Sequence, residues 1–147
     1  MTEIAFHFNA PDKLAYACRL LRKAVASGAK VVVLGDEDFL QDLDSRLWTF
    51  APLEFVPHCR AESSIELRMA SPVVLTTQLS DGEPLPHHQV LLNLAARVMP
   101  GFEHFERVIE VVTLDEQDRL NARLRWKHYA DRGYAITRHD LKLKESA

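Results

Sequence analysis

A chain of 147 residues with a formal charge of −3 and 47% apolar residues has the size and composition of one ordinary globular domain, spanning 1–147. No stretch approaches the roughly 20 apolar residues that span a bilayer, and the start, MTEIAFHFNAPDK, lacks the basic segment and small-residue cleavage site of a secretory signal. The expectation is a cytoplasmic protein without membrane contact, whose two cysteines, Cys18 and Cys59, suit a reducing compartment rather than a metal site.

Glu3–Phe8 predicts a first strand, with Ile4, Phe6 and Phe8 alternating. Asn9-Ala10-Pro11 then opens a helix, with Pro11 suited to its first turn. Leu14, Ala17, Cys18, Leu21, Ala24 and Val25 recur at helical spacing until Gly28 stops the run; Cys18 among them predicts a small core thiol. Lys30–Leu34 is a short β-branched run, expected as a buried parallel strand. Asp36–Phe50 predicts a second helix, with Phe39, Leu43, Leu47 and Phe50 on one stripe. Pro72–Thr76, Val90–Leu94 and part of His104–Thr113 predict further strands. Leu114–Arg132 is the long last helix, ended by Gly133, and Tyr134–Leu141 follows as an edge strand. The opening β-α-β-α order argues a single-domain α/β fold of three layers with a largely parallel sheet.

Such sheets often bind nucleotides at their strand ends, but this one lacks the means. No two of the five glycines fall at G-x-G-x-x-G or P-loop spacing. The turn after the first strand, Phe8-Asn9-Ala10-Pro11, has no glycine, and the next, Leu34-Gly35-Asp36-Glu37-Asp38, carries three acids that repel phosphate unless a metal intervenes. A metal-dependent phosphotransfer site is conceivable there, but helix N-termini attract acids for capping and dipole reasons. His87 and His88 diverge along an extended segment and have no third ligand at a useful spacing. No nucleophile–base or zinc-protease motif occurs. The expectation is no catalytic residue, no metal and no cofactor.

Charge is unevenly distributed. Residues 119–144 hold eight Lys/Arg against two Asp, a net +6 that leaves −9 on the remainder. A basic quarter on an acidic body fits a local site for an anionic partner, or simply a solvated helix face. On a helical wheel of about 100° per residue, Arg119, Arg123, Lys127 and Trp126 share an arc of roughly 100°. Leu120 and Leu124 lie beside it and are expected to face the core. Cations around a tryptophan suit an acidic peptide ending in an aromatic, or single-stranded nucleic acid through stacking and phosphate contacts; alternatively Trp126 packs on a neighbouring strand. A second feature is the crowded apolar run Leu47-Trp48-Thr49-Phe50 with Leu53-Glu54-Phe55-Val56-Pro57-His58. Pro52 and Pro57 keep it from a regular central strand, so it is either core or a protein interface.

The order of elements and two local patterns resemble the chi subunit family of DNA polymerase III across essentially the whole chain. One pattern is Leu47-Trp48 followed by Phe55-Val56-Pro57-His58. The other is Arg123-x-x-Trp126-Lys127-x-Tyr129 leading into Gly133-Tyr134. The resemblance implies a Rossmann-like fold without nucleotide binding, and a non-catalytic adaptor in replication. It implies a psi-subunit interface at Trp48, Phe55, Val56, Pro57 and His58, a surface for which another partner such as a helicase can compete. It implies a pocket at Val112, Arg119, Arg123, Trp126, Lys127 and Tyr134 for the acidic C-terminal tail of single-stranded-DNA-binding protein, so that DNA is reached only indirectly. Related chains can carry a further cation where this one has Ala130-Asp131.

Overall fold

The computed structural model describes residues 2–49, 57–60, 63–64, 66, 71–79, 85 and 87–141. Its strands are β1 (Glu3–Ala10), β2 (Val31–Leu34), β3 (His58–Arg60), β4 (Val73–Thr76), β5 (Val90–Asn93), β6 (Arg107–Thr113) and β7 (Ile136–Asp140). The helices are α1 (Lys13–Ala26), α2 (Glu37–Thr49) and α3 (Glu116–Asp131), with a 3-10 turn at Phe102–His104. The strands form one sheet in the order β3-β4-β2-β5-β6-β1-β7. Every pairing is parallel, which gives the expected Rossmann-like α/β architecture. Among the described residues no helix is long and apolar enough to cross a membrane.

The sheet is covered on both faces, which is why its central strands read as unbroken apolar runs. On one face Leu21 of α1 and Leu43 and Leu47 of α2 pack on Val31, Val33 and Leu75; Cys18 lies in this core as a free, buried thiol. On the other, Ala122 and Tyr129 of α3 pack on Ile4, Phe6, Val32 and Val108. Local chemistry sets the helix starts. The Asp12 side chain accepts from the Ala15 amide, so α1 is capped at Asp12 and Pro11 precedes the cap instead of entering the first turn. Glu37 and Asp38 occupy the first turn of α2, where they complement the helix dipole, and Glu37 also meets Arg60 at 2.6 Å. Leu40, Leu43 and Leu47 are the buried residues of α2, while Phe39 packs at the edge of that core. Phe50, Leu53, Glu54, Phe55 and Val56 lie outside the described residues.

α3 has the opposite phase from the one its leucines suggest. Leu120 is 44% and Leu124 70% exposed, and the helix buries Ala122, Arg125 and Tyr129 instead. The cause is Glu110, the one acid of β6, which is 0% exposed on the same side of the sheet. Arg125 Nε donates to its Oε1 at 2.8 Å, the Tyr129 hydroxyl to its Oε2 at 2.6 Å, and Asn93 Nδ2 to Oε2 at 2.9 Å. Arg125 Nη1 also donates to the Ala96 carbonyl. Fully burying a leucine is worth about 1.5–3 kcal/mol, so burying the parts of Leu120 and Leu124 that are still exposed, 44% and 70%, would add about 2–3 kcal/mol in all. Stranding a buried carboxylate by removing its cation costs about 3–5 kcal/mol, and rotating α3 would remove Arg125 and Tyr129 together. Satisfying Glu110 therefore wins, and both leucines are turned outward. Burial pushes the Glu110 carboxyl above the usual carboxylate range, against the pull of Arg125, Tyr129 and Asn93.

Candidate peptide-binding site

Three parallel strands and α3 enclose a hollow of about 350 Å³, lined by Phe6, Phe8, Val112, Arg119, Ala122, Arg123, Trp126 and Arg138. Its construction follows from the register. Phe6 of β1 stands beside Glu110 of β6 on one side and Arg138 of β7 on the other. These positions all face α3, because paired residues in a parallel sheet share a face. Glu110 is covered by Arg125, and the next residue of α3, Trp126, rests its ring on Phe6, centroids 5.0 Å apart and tilted by 50°. Beyond Phe6 the β1–β6 register shifts, between His7 and Ala10. Asn9 there has a φ of 65°, a left-handed conformation that asparagine tolerates better than most residues.

The floor of the hollow is apolar and its rim carries three guanidinium groups, those of Arg119, Arg123 and Arg138. Among the described residues no carboxylate forms an ion pair with any of the three. Their charge is available to an anionic ligand. Next to Arg119, Asp118 accepts from the Thr113 amide and hydroxyl, both at 2.8 Å, and meets Lys13 Nζ at 3.0 Å. Burial alone would push this carboxyl up. The hydrogen bonds from Thr113 and the Lys13 ammonium outweigh that and hold it below the usual carboxylate range, fixing the start of α3 against α1 and β6.

Of the six residues that the family resemblance assigns to a tail pocket, Val112, Arg119, Arg123 and Trp126 meet in this hollow. Lys127 is exposed on the outer side of α3, one turn after Arg123. Tyr134 stands against Phe102, ring centroids 5.3 Å apart, and lines a different depression with Val98, Met99 and His128. Sequence reasoning missed Phe6, Phe8 and Arg138. The alternation in β1 does turn Phe6 and Phe8 to one side, but nothing local indicates that a strand 130 residues later lies beside it.

At the opposite edge of the sheet, Trp48 at the end of α2 is 57% exposed, its ring 5.1 Å from that of His58. The His58 side chain is itself buried, with Nε2 2.6 Å from Asp44 Oδ1. Pro57 is half-buried beside it. His58 thus holds Trp48 from behind, and Trp48 offers the exposed surface.

A family model described as "DNA polymerase III chi subunit, HolC" matches residues 1–137. A protein of Pseudomonas aeruginosa named DNA polymerase III subunit chi is 37% identical over 147 residues, covering 96% of this chain and 98% of that one. A protein of the same name from Haemophilus influenzae is 27% identical over 127 residues, covering 85% of each.

Proposed function

Since the chain belongs to the DNA polymerase III chi subunit family and so has a role in replication, we propose that it is a non-catalytic adaptor joining the clamp loader, through a psi-type subunit, to the acidic C-terminal tail of single-stranded-DNA-binding protein. The observation that carries this reading is the hollow beside α3. Its apolar floor and three guanidinium groups, none of which pairs with a carboxylate among the described residues, suit a peptide with a terminal aromatic side chain and nearby carboxylates. Trp126 lies half-buried against Phe6, which suits it to forming a wall for an aromatic ring better than to stacking on successive bases. Of the acids that a phosphotransfer site would need, Glu37 pairs with Arg60, and Glu37 and Asp38 lie in the first turn of α2, where they complement its dipole.

The test is a calorimetric titration of wild type and Lys127→Glu with an acidic peptide ending in Asp-Phe, beside an oligonucleotide of similar charge. The peptide should bind wild type. Binding should weaken with salt, since the cations face solvent, yet persist at high salt through the apolar contact. Removing the terminal Phe should cost more than removing one acid, because exposed ion pairs contribute about 0–1 kcal/mol each. Lys127→Glu should weaken the peptide without lowering the melting temperature. An oligonucleotide that binds where the peptide does not would replace the adaptor reading by direct binding of single-stranded nucleic acid.

We assign the clamp-loader contact to Trp48, exposed at the opposite edge of the sheet with His58 as its support, and, from the family resemblance, to Phe55, Val56 and Pro57. Trp48→Ala and Phe55→Ala should each weaken capture of a psi-type partner by about 2 kcal/mol or more, the usual loss for an aromatic anchor. Peptide binding at α3 should be unchanged. A collapse of the melting temperature on Phe55→Ala would make that residue core rather than interface.

A further inference from the structure

The outer face of α3 carries a feature that the hollow does not use. Among the described residues the exposed large apolar side chains are Trp48, Leu114, Leu120 and Leu124. Two of these are on α3 and a third immediately precedes its cap residue Asp115. Single exposed leucines are ordinary, but Leu120 and Leu124 are one turn apart and form a continuous ridge. Alongside it, about 60° around the helix, Arg123 and Lys127 form a second ridge, also one turn apart. Neither cation takes an ion pair with a described residue. The order around the helix is hollow, cations, leucines.

We infer that the leucine ridge continues the tail site and seats an apolar side chain upstream of the residue in the hollow, so that the recognised segment is acidic and apolar together. The inference rests on the tail reading. Its basis is charge complementarity along Arg123 and Lys127 and the continuity of this strip with the hollow. A second copy of the chain fits poorly, because apposing the two ridges would bring two cationic strips together.

Geometry fixes the spacing. From the hollow to the leucine ridge is about 120° around a helix roughly 10–12 Å across, an arc of about 11 Å. An extended peptide advances about 3.3 Å per residue, so the apolar side chain belongs about three to four residues before the terminal aromatic. The acids between them then cross Arg123 and Lys127.

The experiment uses the whole chain and three acidic peptides of equal length and charge ending in Phe. The first has only polar residues upstream, the second a Leu four positions before the end, and the third a Leu eight positions before it. The second should bind wild type about tenfold more tightly than the first, the effect of burying much of one leucine side chain, and the third should match the first. In Leu120→Ser/Leu124→Ser, whose changes lie on the exposed face, the advantage of the second should vanish while the first binds as before. If the first and second bind wild type equally, the ridge inference falls and the tail reading stands. If no peptide binds, both fall. Wild type that sediments as a dimer, and dissociates on the double substitution, would assign the ridge to a second copy instead.

Discussion

Replacing Arg125 by methionine should lower the stability of the protein by about 3–5 kcal/mol, the usual consequence of removing one partner from a buried ion pair. Methionine keeps the apolar stem and much of the volume, so loss of packing is not the main effect. What remains is Glu110, fully buried and still receiving hydrogen bonds from Tyr129 and Asn93 but with no compensating charge. The pH dependence distinguishes this cause from a cavity. Burial already holds the Glu110 carboxyl above its ordinary value, and losing the guanidinium raises it further. A group whose pKa is raised on folding contributes stability that is present at low pH and lost as pH rises through the folded-state value. The deficit of Arg125→Met should therefore shrink as pH falls from about 8 towards about 5. Urea unfolding across that range would measure it. A deficit below about 1 kcal/mol, or one independent of pH, would mean that Arg125 does not set the phase of α3.

Glu110 also explains where the sequence was readable and where it was not. The strands and helices of the first half announce themselves through alternation in Ile4, Phe6 and Phe8, through the β-branched run at Val31–Val33, and through a helical apolar spacing ended by Gly28. These are local signals, and the structure follows them with boundary shifts of a residue or two. The phase of α3 is not local. Its leucine spacing points one way, while the residue that decides it sits in β6. A signal did exist, since a lone acid within the run Arg107–Thr113 demands a buried cation, and Arg125 is a candidate. The hollow was legible on its helical side, where Arg119, Arg123 and Trp126 share an arc, and illegible on its strand side. Phe6 and Arg138 meet only because β7 pairs with β1 rather than elsewhere in the sheet, and a sequence pattern carries no strand order. At the other edge the apolar run left core and interface both open. The structure separates its described members by role: His58 inward on Asp44, Trp48 outward.

Trp126→Ala should cost tail binding about 2 kcal/mol or more, a loss of roughly thirtyfold in affinity. Trp126 is the one hollow-lining residue that touches the floor through a ring contact and also forms a wall, resting on Phe6 with 5.0 Å between centroids. Truncating it removes the surface against which a terminal aromatic would lie. It leaves Arg119, Arg123 and Arg138 in place, so a purely electrostatic site would survive the change. The residual binding of Trp126→Ala should accordingly become strongly salt-dependent, because only screened charge–charge attraction remains. Stability should fall as well, since an aromatic pair is worth about 0.5–1.5 kcal/mol beyond its buried area. Trp126→Leu separates the two effects. An aliphatic side chain covers part of Phe6 and should restore most of the melting temperature, but it offers no flat face to the ligand and should restore little of the affinity. Titration of both variants with the acidic peptide at low and high salt provides the measurement. If Trp126→Ala binds within about threefold of wild type, a change of less than 1 kcal/mol, the terminal aromatic does not sit in this hollow.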